Sequence, residues 1–380
     1  MSISKLTTCK QQLAIFVVVW VLSIPVAEGM FRLVGDRPSA SLGGLFVPFG
    51  DGSYKMAPSI DTEDAWSAGR FTVHTDQLGL RCDEARRLAV KPGGHVDVLF
   101  LGDSQGYGNG VSFEESVAGG VAELAFQAGI HCANASVGGH SARNQLELAR
   151  WLHDTEGIAV SNYVLLVTPL MVQYADSYSR ASVGEDGRLY DDPHNIIRAR
   201  VRIWIKTHCV VYDRVRDAIR NLGIGVRPSD DVPSVLRLYG AGDPESIVRD
   251  KYVALLKQLK SFAEQQRANV RLVYLPLTVE VDFAAMRDAA VKRGVAVDPS
   301  LPYRICSAAA AELNIPVTDL RPVVEQLHAR GDPLRLKGDF HYDRDLSRAC
   351  AASIWNDLKN ELHNRGAAES DQQGVTKMSL

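Results

Sequence analysis

Five apolar runs, Val96–Leu101, Ile130–Asn134, Tyr163–Val167, Val270–Leu275 and Ile315–Asp319, alternate with helix-like stretches along the chain. These runs are mostly apolar, the pattern of strands buried on both faces of a sheet. Such runs separated by helices predict a parallel sheet covered by helices on either side. The first run stops at Gly102-Asp103-Ser104 and turns glycine-rich through Gly106, Gly108 and Gly110. Ser104 is therefore expected at the carboxyl end of a buried strand, where open α/β sheets bind ligands. Gly-Asp-Ser is also ordinary turn and helix-cap chemistry, so the tripeptide needs partners before it signifies more.

Those partners are present in the sequence. The second run ends in Asn134-Ala135-Ser136-Val137-Gly138-Gly139, where a glycine lets the backbone approach a substrate and donate its N–H. Near the end of the chain, Asp339-Phe340-His341 precedes the helix-like run Ser347–Trp355. An Asp and a His two residues apart on a loop have the chemistry of a general base and its orienting carboxylate. With these three segments in this order, from about His74 to Leu358, the chain resembles the SGNH hydrolases, the GDSL-type esterase superfamily. His74–Arg81 is similar to a segment preceding the nucleophile strand in the membrane-anchored bacterial branch, and Ala27–Arg32 to its juxtamembrane sequence.

The resemblance implies a flavodoxin-like three-layer α/β/α fold with a central parallel sheet. It also implies a catalytic Ser104, a base His341 partnered by Asp339, and an oxyanion hole from the N–H groups of Ser104 and Gly139. The chain departs from the family in two places. Where the family carries a Gly-x-Asn-Asp segment, Thr168-Pro169-Leu170-Met171-Val172-Gln173 follows the third strand, leaving Gln173 as the nearest side-chain amide. The Asp-x-His spacing is one residue shorter than in many secreted esterases and is like the branch acting on envelope polysaccharide. Asp343 or a backbone carbonyl is the alternative partner for His341. Asp319, at the end of the last strand, is expected to be structural or substrate-side.

The ends of the chain add location. Lys5 and Lys10 precede an apolar stretch from Leu13 to Ala27 without a convincing cleavage site, because Pro25 occupies a position that prefers a small residue. Residues 1–30 are therefore expected to be a transmembrane signal-anchor in the inner membrane with the enzyme outside, a cleaved signal being the alternative. A lead-in is expected over 31–94, the hydrolase domain over 95–362 and a disordered tail over 363–380. A helical insertion is expected about 176–247. It holds Arg198, Arg200, Arg202, Lys206, Arg214, Arg216 and Arg220, which read as a solvated face or as a surface for anionic glycan or headgroups.

Composition narrows the classes. With 46% hydrophobic and 23% charged residues the chain is long enough for a full core, and a net charge of −3 gives no support for nucleic-acid binding. Five of the 6 cysteines lie beyond the apolar stretch, with no metal-ligand spacing, and are expected chiefly as buried thiols. No metal or organic cofactor is implied. The reading is a serine esterase or O-acyltransferase acting on acyl esters, with acetyl on an envelope or exported glycan favoured and polysaccharide machinery as a partner. A lipid or lysophospholipid esterase is one alternative. A degenerate member that binds polysaccharide or an assembly partner without turnover is the other.

Overall fold

A computed structural model describes residues 23–33 except 31, 44–175 except 51, 52, 67 and 68, and 182–190 except 185 and 186. It also describes positions 205, 210, 211 and 215, and 236–377 except 242, 282, 293, 337 and 338. The strands are β1 (Phe46–Phe49), β2 (Ser53–Met56), β3 (Asp61–Trp66), β4 (Gly69–Thr75), β5 (Arg81–Cys82), β6 (His95–Gly102) and β7 (Cys132–Asn134). They continue as β8 (Ala159–Val167), β9 (Ser182–Val183), β10 (Leu189–Tyr190), β11 (Asn269–Tyr274) and β12 (Val317–Asp319). The helices used below are α1 (Ser104–Tyr107), α2 (Val117–Gln127), α3 (Ala142–Asp154), α4 (Pro169–Gln173) and α5 (Glu245–Gln265). After them come α6 (Ala284–Val291), α7 (Leu301–Glu312), α8 (Arg321–Ala329) and α9 (Arg344–Lys377).

The main sheet has 8 strands in the order β12-β11-β8-β6-β7-β5-β4-β3. The five apolar runs become its parallel part, β12 to β7. Taken by themselves these five strands have the flavodoxin-like order, with the first strand between the second and third. Successive side chains of a strand point to opposite faces, and β6 uses both. Leu99 and Leu101 pack with Leu165 and Leu272 under Leu146 of α3, Leu256 of α5 and Ile305 of α7. Val98 and Phe100 pack with Val164, Leu166 and Val273 under Val121 of α2, Val324 of α8 and Ile354 of α9. The result is the three-layer arrangement expected from the sequence.

The boundary at 95 moves. The compact unit holding the sheet comprises Gly43–Pro193 and Asp230–Leu380, and β5, β4 and β3 extend the sheet by antiparallel pairing. β3 reads Asp-Thr-Glu-Asp-Ala-Trp, an edge strand without an apolar run, so periodicity does not mark it. Over the tail expected to be disordered from 363, α9 continues to Lys377. Ala367, Ala368, Glu369, Gln372 and Gln373 are good helix formers that offset Gly366 and Gly374.

A second unit comprises Met1–Leu42 and His194–Ser229. Within it, 23–30 is helical, and the Glu28 carboxylate accepts hydrogen bonds from Arg32 Nε at 2.8 Å and Val211 N–H at 3.1 Å. Residues 13–22 of the expected anchor, and the seven named basic residues of the insertion, lie outside the described residues. Among the described residues no helix is long and apolar enough to cross a membrane.

Cys82, Cys132, Cys306 and Cys350 are buried free thiols, while Cys209 lies outside the described residues. Burial pushes the Cys82 and Cys306 thiols up to about 12, which keeps them protonated and unreactive.

Arg81 is the largest charged group in the core, 2% exposed, lying over the rings of Phe71 and Tyr107. Its guanidinium donates to the carbonyls of Tyr107, Gly108 (2.9 Å) and Val111 (2.6 Å), bracing the segment that follows the Gly-Asp-Ser turn. Arg81→Met takes the guanidinium donor from the Tyr107 and Val111 carbonyls in a buried site and leaves Gly108 O only the Val111 N–H at 3.3 Å. Urea unfolding is expected to show a loss of about 3 kcal/mol or more, several times that of an exposed Arg→Met control.

Candidate active site

Strand β6 delivers the chain into a turn with no spare volume. A Cβ at Gly102 would lie 2.9 Å from Ser136 Oγ and 3.1 Å from Leu166 Cβ, and one at Gly106 would lie 2.6 Å from Ser136 Oγ. Asp103 caps α1, its carboxylate accepting the Gln105 N–H at 2.9 Å and the Thr168 hydroxyl. Burial pushes this carboxyl up from its ordinary value, and the Thr168 and Gln105 hydrogen bonds work against that. Asp103 is therefore a structural carboxylate that fixes the turn. Ser104, the next residue, stays partly exposed at the sheet's carboxyl edge.

His341 reaches this serine from 237 residues away, with Nε2 at 2.8 Å from Ser104 Oγ. Its Nδ1 lies 2.8 Å from Asp339 Oδ1, and the two side chains are 2% and 6% exposed. With Nδ1–H donating to Asp339, Nε2 is left to accept the Ser104 hydroxyl proton. Asp339 Oδ1 also accepts the N–H of Phe340 at 2.6 Å and of His341 at 3.2 Å. The short Asp-x-His spacing thus works because the carboxylate folds back on its own turn. Phe340 stacks on the His341 ring at 4.4 Å and remains 39% exposed.

The glycine turn after β7 is held from below. The Val137 N–H and Gln145 Nε2 both donate to Gly102 O, at 3.0 and 2.7 Å, and Asn134 Oδ1 accepts the Ser136 N–H at 3.0 Å. Tyr54 of β2 donates its hydroxyl to Gly138 O at 2.9 Å. Across a planar trans peptide the carbonyl and the next N–H point in opposite directions. The Gly139 N–H is therefore aimed away from Tyr54. Gly139 has φ of +80°, and a Cβ there would lie 2.6 Å from the Tyr54 hydroxyl, so both backbone and space call for glycine. His140 is sealed beneath the turn, Nε2 at 2.6 Å from Tyr54 O and Nδ1 at 2.9 Å from Gln145 Nε2. Burial pulls its pKa down to about 3, so it is neutral.

The structure brings Ser104, Asp339 and His341 together in one chain of hydrogen bonds. Gln173 is the last residue of α4, and no described hydrogen bond ties it to the Ser104 turn. Asp343 caps α9 through the N–H groups of Asp345 (3.1 Å) and Leu346 (2.9 Å), so it is not the histidine's partner. Asp319 is a structural residue, paired with Arg321 at 2.8 Å. Sequence reasoning missed Gln105, whose Nε2 donates to Phe340 O at 3.1 Å and whose Oε1 accepts the Tyr342 N–H at 3.2 Å. It also missed Tyr54. Neither carries a local signal, because each acts on backbone groups distant in sequence. Among the described residues there is no cluster of three or more His, Cys, Asp or Glu that could hold a metal ion.

No protein-family model and no curated protein matches the chain. Solved structures do match. An acetyl xylan esterase, AlAXEase, is 16% identical, with 69% of this chain and 100% of that one covered at a TM-score of 0.38. TesA is 13% identical over 70% and 98%, also at 0.38. The acetylxylan esterase Axe2 from Geobacillus stearothermophilus, as a catalytic mutant, is 14% identical over 70% and 94%, again at 0.38. These likenesses are distant, and the chemistry is read from the site itself.

Two measurements probe the glycine turn. Tyr54→Phe removes only the hydroxyl that holds Gly138 O, and kcat on p-nitrophenyl acetate is expected to fall about tenfold with KM within threefold. For His140 the folded pKa near 3 lies below the unfolded value of 6.5, so the unfolded state binds more protons between these values. Stability is therefore fully present above pH 6.5 and is lost as pH falls towards 3, by about 1.4 kcal/mol per unit from this residue. Urea titrations between pH 7 and 4.5 should show a shallower decline in His140→Gln than in the parent.

Proposed function

We propose that this protein is an SGNH-type serine hydrolase that cleaves or transfers the acyl group of a carboxylic ester through an acyl-enzyme. The observation that carries the reading is the continuous chain Ser104 Oγ, His341 Nε2, His341 Nδ1, Asp339 Oδ1, with 2.8 Å at each polar contact.

Ser104 Oγ attacks the ester carbonyl as His341 Nε2 takes its proton, and Asp339 stabilises the imidazolium. The N–H groups of Ser104 and Gly139 face the oxyanion that develops. His341 returns the proton to the leaving alcohol as the tetrahedral species collapses. Water or a sugar hydroxyl, deprotonated by His341, then attacks the acyl-enzyme and releases Ser104. The same machinery serves an esterase and an O-acyltransferase.

For the substrate we favour a short acyl, chiefly acetyl, ester on an envelope or exported polysaccharide. The exposed Phe340 ring beside His341 supports this, since an aromatic face can pack against a sugar ring. Placement outside the inner membrane, through residues 1–30, is part of the same proposal and follows from the charge and apolar pattern of those residues.

Fluorophosphonate labelling of the full chain tests the chemistry. Wild type is expected to label, Ser104→Ala to give no label, and His341→Ala to lose at least about 100-fold in labelling rate. A folded wild type that does not label would leave a binding role for polysaccharide as the better reading.

A further inference from the structure

We propose that Asn109 is a further catalytic residue, its Nδ2 donating a hydrogen bond to the oxyanion formed at Ser104. This inference rests on the acyl-transfer reading above and deepens it. Two backbone N–H groups, those of Ser104 and Gly139, are the donors assigned so far, and the residue after β8 does not add a third. Thr168 spends its hydroxyl on Asp103.

Asn109 stands where a donor is needed. A Cβ placed on Gly138 would lie 3.9 Å from Ser104 Cβ and 3.7 and 3.8 Å from Asn109 Oδ1 and Nδ2. The Asn109 carboxamide and the Ser104 side chain therefore border the same small space over Gly138. Asn109 is only half-buried. Among the described residues its carboxamide makes no hydrogen bond, so the donor is uncommitted before substrate arrives.

The backbone carrying this side chain is fixed relative to the nucleophile. Asn109 N–H donates to Ser104 O at 3.1 Å, and the flanking Gly108 and Gly110 have φ of +83° and +86°. Arg81 holds the carbonyls of Gly108 and Val111 on either side. A donor on so constrained a loop needs little reorganisation as charge develops, which is what makes oxyanion stabilisation effective.

Steady-state kinetics on p-nitrophenyl acetate, with fluorophosphonate labelling alongside, test the assignment. Asn109→Ala is expected to lower kcat about 100-fold with KM within threefold. Asn109→Asp, isosteric but without the donor, should lose at least as much, and both should still label at Ser104. Gly138→Ala adds a methyl group in ordinary contact at a backbone angle open to alanine, and should lower kcat/KM at least about tenfold by filling the shared space. An Asn109→Ala kcat within twofold of wild type would overturn the proposal, as would a raised KM with kcat intact. If wild type labels and Ser104→Ala does not, either of those results removes the Asn109 role and leaves the hydrolase reading standing.

Discussion

One carboxamide sets the distance on which the site depends. Gln105 follows Ser104 in α1 and is 4% exposed, and it reads two backbone groups that flank His341, the carbonyl of Phe340 and the N–H of Tyr342. It thereby does what a neighbouring strand would do, with a side chain in place of a peptide group. Each such hydrogen bond contributes on the order of 1 kcal/mol net, but breaking the pair strands two backbone groups in a protected place, which costs more than the bonds contribute. Tyr342 holds the same loop from the other side, 3% exposed among the residues packed by α9 and donating its hydroxyl to Pro276 O. The loop is therefore seated before the imidazole meets the serine.

The turn on the other side of that contact is determined by exclusion of volume. Between Ser136 and Leu166 only glycine fits at positions 102 and 106, so β6 must pass into α1 with Asp103 facing inward. That buried carboxyl needs donors, and Thr168 at the end of β8 is one of them. The strand end next to Ser104 is thus occupied by structure. It follows that any side-chain contribution to the oxyanion has to come from elsewhere around Ser104, and the loop after α1 is the segment already braced against it.

The parallel part of the sheet is legible in the sequence because strands buried on both faces leave long apolar runs. The antiparallel edge is not. β3 is largely polar and β5 is only Arg81 and Cys82, so neither shows a period. Ser104, Gly139, Asp339 and His341 are legible because strand exits and short loops mark them locally. Tyr54 and Gln105 act across 84 and 235 residues of sequence on groups that every residue possesses, so nothing in their neighbourhood announces a role. Arg81 stands between the two cases: a resemblance singled it out, but only burial and its carbonyl contacts show what it does.

The Asp-x-His turn separates two tasks that a catalytic triad combines. Leu336 O accepts the Asp339 N–H at 3.0 Å and the Leu336 N–H donates to His341 O at 2.9 Å, so the carboxylate and the imidazole belong to one closed turn. Asp339 Oδ1 is oriented by two backbone N–H groups as well as by the ring. In the proposed mechanism the negative charge that would meet the imidazolium is therefore in place before proton transfer and need not reorganise. Because the dyad is built locally, its geometry survives small shifts of the loop as a whole, and the distance left for tertiary structure to set is the one to Ser104. Gln105 bears on that distance by holding the backbone on either side of His341, so a residue without chemistry of its own is part of what constrains the site.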